Sequence, residues 1–413
     1  MTFLPELLVP VADPDKLDTA LRYGADAVYL GGQALNLRSK TGGFSFDQLR
    51  QAVIKAHKHG VKVYFTLNLL AWEKHLHQVA DYLHELADSD VDALIIADPG
   101  ILDMARSKVP HIPIHLSTQA NTSNSASAHF WHTQGVQRMN IARELGARDI
   151  RAIAQNTPDL ELEVFVHGAM CMAISGRCLL SAYLTGRSGN LGACTHPCRF
   201  DYKVTGLRLE ERLRPDRDTW ELYEDATYSR IMSAEDLCLI KYLPWFCKVG
   251  IHSLKLEGRM KTTSYLAQVT DIYRTALLDL HKGQFQPHLY LDELQQVATR
   301  PLATGFFTAS TKVLRPVLPL AVKKHIVAQI LEPVGQGLWL IDVKYRFSTN
   351  TDLEILCPGL RRPIIAGGDY GIEKQDGLKV SVAHGGVQLF LRCDHPDFEP
   401  GLYLRTRYPE TKT

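Results

Sequence analysis

The chain has 413 residues, 45% apolar and 22% charged, with a formal net charge of +1, a composition that allows one large domain and a smaller one. It excludes a global basic field, so any contact with nucleic acid has to come from a local patch. No run of about 18 apolar residues is present and the N-terminus lacks signal-peptide character, so a cytoplasmic location with reduced thiols and no membrane partner is expected.

From residue 5 to about 282 one unit repeats: a short apolar run, a polar loop and an amphipathic helix. The runs are Leu7–Val11, Ala27–Leu30, Val61–Leu67, Ala93–Ala97, Ile112–Ser117, Arg138–Ala142, Glu161–Val166 and Ile251–Leu256. They are continuous rather than alternating, as strands covered on both faces tend to be. Helices are predicted over Asp15–Tyr23, Phe46–His59, Glu73–Leu86, Gly100–Val109, Ser123–Gln134, Arg148–Gln155 and Lys261–Gly283. Eight strands alternating with helices predict a closed (β/α)8 TIM-like barrel over residues 1–300. Polar residues stand at its strand ends: Tyr29, Asn68, Asp98, Gln119 with Asn121, Arg143 with Glu144, His167, and Glu257 with Arg259. Barrel enzymes place their chemistry on that face.

A cysteine-rich insertion, residues 168–250, separates strands seven and eight. A connection this long inside a compact domain is usually functional. It carries a charge-dense segment, Arg199–Asp225, that reads as a strand pair or flap, and a segment around Cys238 that reads as a helix. After a proline-rich break at Pro301–Pro319, the runs HIVAQILE, GLWLIDV, DLEILC, LKVSVA and LYLRT alternate apolar and polar residues. They predict a small C-terminal β-barrel domain within residues 320–413.

Half of the eight cysteines, Cys171, Cys178, Cys194 and Cys198, fall within 28 residues, spaced C-x6-C-x15-C-x3-C. Thiolates gathered in this way suit an iron–sulfur cluster; zinc and unligated core thiols are the alternatives. Only Cys194 and Cys198 have the close spacing usual in zinc sites, and Cys238 is an alternative fourth ligand. Cys247, Cys357 and Cys393 read as packing residues. His167, four residues before the first cysteine, is either a satisfied loop histidine or a catalytic or supporting group.

The segments EVFVHGAMCMAISGRCLLS, GACTHPCR, IHLSTQAN and SLKLEGRMK together resemble the collagenase-like peptidase family U32. The resemblance runs from Pro5 to about Gly305 and is greatest to the branch that hydroxylates tRNA. It implies conversion of the wobble uridine in the anticodon loop to 5-hydroxyuridine, independent of molecular oxygen, with prephenate as hydroxyl donor. It further implies a 4Fe-4S cluster on Cys171, Cys178, Cys194 and Cys198. Hydroxylation of an rRNA cytidine, of the ubiquinone ring, or metal-dependent peptidase activity are the other activities within the family.

A uracil carbon accepts oxygen only with redox help, and the sequence carries no flavin or nicotinamide glycine motif. An electron-transfer partner is therefore conceivable. Prephenate is a dicarboxylate, which calls for planar guanidinium groups. Arg38, Arg143, Arg177 and Arg259 are the candidates, with Gln119 and Asn121 as further substrate-binding groups and His167, Glu257 and Arg143 as catalytic ones. Lys261 and Arg199 are candidates for RNA phosphates, and Tyr29, Phe200 and Tyr202 for stacking on a splayed base.

Overall fold

A computed structural model describes residues 3–35, 43–170, 173–185, 187, 194–199, 223–224, 229–230, 235–308 and 324–407. Strand β1 (Glu6–Pro10) leads to α1 (Pro14–Arg22), which starts where Asp13 caps the Lys16 amide and a proline occupies the first turn. The repeat continues through β2 (Ala27–Leu30), α2 (Phe46–Lys58), β3 (Lys62–Leu67), α3 (Leu76–Leu86), β4 (Ala93–Ile96) and α4 (Pro99–Lys108). It proceeds through β5 (Ile114–Leu116), α5 (Ser125–Thr133), β6 (Val136–Asn140), α6 (Ala147–Asn156) and β7 (Glu161–Ala169).

After β7 come the short helix α7 (Leu180–Thr185), a two-residue strand pair β8 (Tyr223–Glu224) and β9 (Ser229–Arg230), and β10 (Asp236–Cys238). Helix α8 (Leu243–Val249) then feeds β11 (Ser253–Leu256). Strand β11 pairs in parallel with both β1 and β7, so β1 to β7 and β11 close an eight-stranded parallel barrel. Helix α9 (Thr263–His281), capped by Thr262, and α10 (Pro287–Val297) lie outside it, followed by the short strand β12 (Leu302–Ala303).

The barrel matches the sequence expectation strand for strand. The Cys238 segment does not. It is a strand, antiparallel to β7, with Cys238 opposite His167, and it continues the sheet to β12. A short apolar run such as Leu237–Ile240 carries no period that separates helix from strand, and here the free edge at the end of β7 decides. Most of the charge-dense segment 199–225 lies outside the described residues.

The C-terminal part is an eight-stranded antiparallel sheet. All five predicted runs contribute to its strands or to the adjoining pair of residues 347–348 with 382–383. A strand at Val387–Arg392, which the sequence reading left unassigned, pairs along the whole of Leu338–Val343. Its core holds Val327, Ile341, Leu353, Leu391 and Leu404 and reaches Tyr23 and Ala267 on the barrel side. Cys357 and Cys393 are buried in it, as expected of packing residues.

Candidate functional site at the barrel mouth

The inside of the barrel is charged. Lys255 on β11 binds Glu163 on β7 at 2.7 Å, and the Asn140 side-chain amide donates to the same oxygen at 2.8 Å. Toward the N-terminal end, Arg138 meets Glu6 at 2.6 Å and Glu161 at 2.7 Å, and the Tyr64 hydroxyl donates to Glu6. Burial comes first in holding the Tyr64 phenol far above its usual range, and the Glu6 carboxylate adds to it. These residues were not singled out from the sequence. The available signal was a charge inside each apolar run, in SLKLE, ELEVF and VQRMN.

At the C-terminal end, β7 and β11 touch. Gly168 has φ +109°, and a Cβ there would lie 2.2 Å from the Glu257 carbonyl oxygen, so only glycine permits this approach. Glu257 in turn donates its backbone amide to the His167 carbonyl at 2.9 Å. The Arg143 guanidinium carbon lies over the Phe165 ring, 3.6 Å from its centroid, and Nη1 donates to the Ala169 carbonyl at 2.5 Å. Its Nη2 stands 3.6 Å from Glu257 Oε2. Arg143 and Glu257, expected as catalytic groups, are therefore brought together.

His167 sits deeper, 3% exposed. Its Nε2 lies 3.1 Å from the Tyr265 hydroxyl and its Nδ1 3.4 Å from the Tyr273 hydroxyl. Tyr273 donates its proton to the Val166 carbonyl at 2.9 Å, which assigns the ring proton to Nδ1 and leaves Nε2 accepting from Tyr265. Burial lowers the His167 pKa to about 4, against a small opposing pull from Asp236. The imidazole is a neutral, enclosed hydrogen-bonding post. Tyr265 and Tyr273, about two turns apart on α9, complete it and were not foreseen. The Cys238 thiol contacts Tyr273 in the same enclosure, and burial raises its pKa to about 11.

The cysteine segment rests against the ends of β5 and β6. Glu144 Oε1 accepts the Ser175 amide at 2.8 Å and the Ser175 hydroxyl at 3.0 Å. Asn121 donates its side-chain amide to the Ser175 carbonyl at 3.3 Å. Gly176, at φ +75°, lies so near Gln119 that a Cβ would come within 2.5 Å of the Gln119 carbonyl oxygen. Cys178 follows, half-buried, and α7 begins two residues later. Ser181 on α7 accepts the Thr195 amide at 3.1 Å, and the hydroxyls of Thr185 and Thr195 lie 3.2 Å apart. The turn carrying exposed Cys194 and half-buried Cys198 is thereby tied to the helix after Cys178. The His196 amide donates to the Cys194 sulfur at 3.4 Å, the kind of contact that tunes cluster thiolates. Cys171 lies outside the described residues, and among the described residues no three His, Cys, Asp or Glu side chains form a metal-binding group.

Other expected site residues divide. Arg177 is exposed beside Cys178, Arg259 is buried with its carbonyl accepting from Lys16 at 3.0 Å, and Arg38, Phe200 and Tyr202 lie outside the described residues. The Arg199 side chain is likewise outside them. Tyr29 is buried, donates to the Leu256 carbonyl at 2.9 Å and lies under the Lys255 ammonium, so it offers no face to a base. Lys261 binds Thr299 at 2.8 Å and Asp236 at 3.4 Å. Asp98 caps α4 by accepting the Gly100 and Ile101 amides.

Residues 12–315 match the family model described as peptidase family U32. The chain belongs to peptidase family U32. Within it, the chain is 40% identical over 313 residues to a Bacillus subtilis protein named tRNA hydroxylation protein P1, covering 74% of this chain and 72% of that one. It is 32% identical over 394 residues to the Escherichia coli tRNA hydroxylation protein P, covering 86% and 87%. A third relative, an Escherichia coli 23S rRNA 5-hydroxycytidine synthase, is 35% identical over 272 residues, covering 66% of this chain and 39% of that one. No helix among the described residues is long and apolar enough to cross a membrane.

Proposed function

We propose that this U32 member is an RNA hydroxylase that forms 5-hydroxyuridine at the wobble position of tRNA, in the cytoplasm, with prephenate as hydroxyl donor. The observation that carries the reading is its 40% identity, across about three quarters of both chains, to a protein named for tRNA hydroxylation. The fit of a 4Fe-4S cluster rests on the donor set. Cys178, Cys194 and Cys198 lie on two segments tied through Ser181, Thr185 and Thr195, one sulfur already accepts a backbone amide, and Cys171 precedes Cys178 by seven residues in the sequence. Cys198 suits the fourth position better than Cys238, whose thiol is enclosed against Tyr273. When bound, such a cluster supplies Lewis-acid or electron-transfer chemistry.

The protein's own groups bind and orient. Arg143 is held in place by Phe165 and Ala169, and its 3.6 Å contact with Glu257 is an ion pair too long for a hydrogen bond. A carboxylate of the donor arriving at Nη2 would make the charge-assisted bond that Glu257 does not. Arg177, Arg259 and Arg38 are the further cations proposed for the second carboxylate, and Lys261 and Arg199 those proposed for RNA phosphates.

Nucleoside analysis of tRNA and 23S rRNA from a deletion strain tests this reading. Loss of 5-hydroxyuridine from tRNA, restored by the wild-type gene and not by Cys178→Ser or Cys194→Ser, is the expected result. Unchanged tRNA with a missing 5-hydroxycytidine in rRNA would move the assignment to rRNA, the activity named for the third relative. A peptidase reading has no support from His167, whose two nitrogens lie against the tyrosine hydroxyls of α9 and not against a serine, threonine or cysteine side chain.

A further inference from the structure

We infer that Glu144, Asn121 and the Gln119 backbone form a cradle that seats the Ser175–Gly176 turn on the barrel mouth and so sets the position of Cys178 before any metal is bound. The inference rests on the proposed cluster for its purpose, but its geometry stands alone. In position the three residues look like substrate-binding groups, since each follows a barrel strand; their contacts run to the protein instead.

Glu144 is the strongest element. One carboxylate oxygen takes both the amide and the hydroxyl of Ser175, at 2.8 and 3.0 Å, so it fixes the backbone and the side chain of one residue together. Asn121 holds the opposite side of that peptide through the Ser175 carbonyl at 3.3 Å, and is itself in the left-handed region at φ 56°. Ser175 is thus gripped by its amide, its hydroxyl and its carbonyl. The next residue, Gly176, closes onto Gln119 at a distance and a φ that a side chain would forbid. Two residues on stands Cys178. Every contact in the cradle is protein to protein, from strand ends of the barrel to the loop, and none involves a cysteine sulfur. Groups that orient metal ligands in this way are commonly worth about 10- to 100-fold in metal retention.

The test uses the full-length protein. After iron is stripped with a chelator, the rate at which Cys178 is alkylated is read by peptide mass spectrometry; the iron-loaded protein is separately challenged with the same chelator and followed by its visible absorption. Glu144→Ala is expected to speed alkylation of Cys178 severalfold and iron loss about tenfold, with the thermal midpoint of the stripped protein little changed. Glu144→Gln, whose remaining oxygen can accept both Ser175 bonds, is expected to restore much of the protection. Should Glu144→Ala fold poorly, Asn121→Gly keeps the left-handed backbone and removes only the bond to the Ser175 carbonyl; a smaller rise in alkylation is expected.

Alkylation of Cys178 at the wild-type rate in both Glu144→Ala and Asn121→Gly would overturn the cradle. So would a rise that only tracks a fall in thermal midpoint and that Glu144→Gln fails to reverse. If the purified chain never carries iron, the chelator arm falls with the cluster reading, while the alkylation arm still judges the cradle.

Discussion

His167 shows how one buried side chain ties the end of β7 to α9. Its two nitrogens meet two tyrosine hydroxyls in an enclosed site, and it is the loss of solvation there that disfavours the charged imidazolium. Burial accordingly holds the folded-state pKa at about 4, below the roughly 6.5 of an unfolded chain. As pH falls through that window the unfolded state takes up the proton first, so stability is complete above about pH 6.5 and declines toward pH 4. The full loss from this one group is roughly 3 kcal/mol. Urea unfolding at pH 7 and pH 5 should show a steeper acid loss in the wild type than in His167→Gln. Parallel losses would mean that the ring accepts its proton in place. His115, whose burial also lowers its pKa, contributes to both proteins and cancels in the comparison.

At the scale of elements, the close approach of the ends of β7 and β11 holds Arg143 and Glu257 together at the mouth. Gly168→Ala would place a methyl 2.2 Å from the Glu257 carbonyl at φ +109°, so either the two strand ends separate or the backbone leaves its conformation. A destabilisation of roughly 3 kcal/mol is expected from denaturant unfolding, with Arg143 losing its register against Glu257. A change below about 1 kcal/mol would show that the strand ends are compliant.

The barrel strands were legible because each is a continuous apolar run bounded by turns. The elements that were not legible have specific reasons. Leu237–Ile240 is too short to show a period, and VQLFLR breaks the strand alternation at Phe390. Arg143, Glu257 and His167 were visible as polar residues at strand ends, yet sequence cannot say whether such a residue faces a ligand, caps a helix as Asp98 does, or grips a neighbouring loop as Asn121 does. Tyr29 shows the same ambiguity: of stacking on a base and core packing, the structure has the second, with its hydroxyl spent on Leu256 inside the barrel.

At the scale of the whole molecule, the division into residues 1–300 and 320–413 is proposed as architecture and not as two independent folding units, because buried charge joins them. Arg405, 0% exposed in the C-terminal sheet, forks onto both oxygens of Glu293 on α10 at 3.1 Å, reaches Glu354 at 2.7 Å, and donates to Gln268 on α9 at 3.1 Å. Arg362 binds Asp271 of α9 at 2.8 Å, and that carboxylate also accepts the Gly359 amide at 2.7 Å. Burial pushes Glu293 and Glu354 up, but Arg405 and the neighbouring cations outweigh it and hold both below the usual carboxylate range.

Removing the buried central cation would leave two half-buried carboxylates without their main partner, a loss expected below the roughly 3–5 kcal/mol of a fully buried pair. Arg405→Met keeps much of the side-chain volume and removes the charge, so the loss at pH 7 isolates the electrostatic part. Because the folded-state pKa values of the two glutamates are depressed, their stabilisation is present above the unfolded value of about 4.3 and disappears as pH falls through the folded values. The gap between wild type and Arg405→Met should therefore be widest at pH 7 and shrink when both are unfolded near pH 3.5. A gap that stays constant across that range would assign the role of Arg405 to packing alone, and the C-terminal sheet would then be held to the barrel by its apolar contacts with Tyr23 and Ala267 rather than by charge.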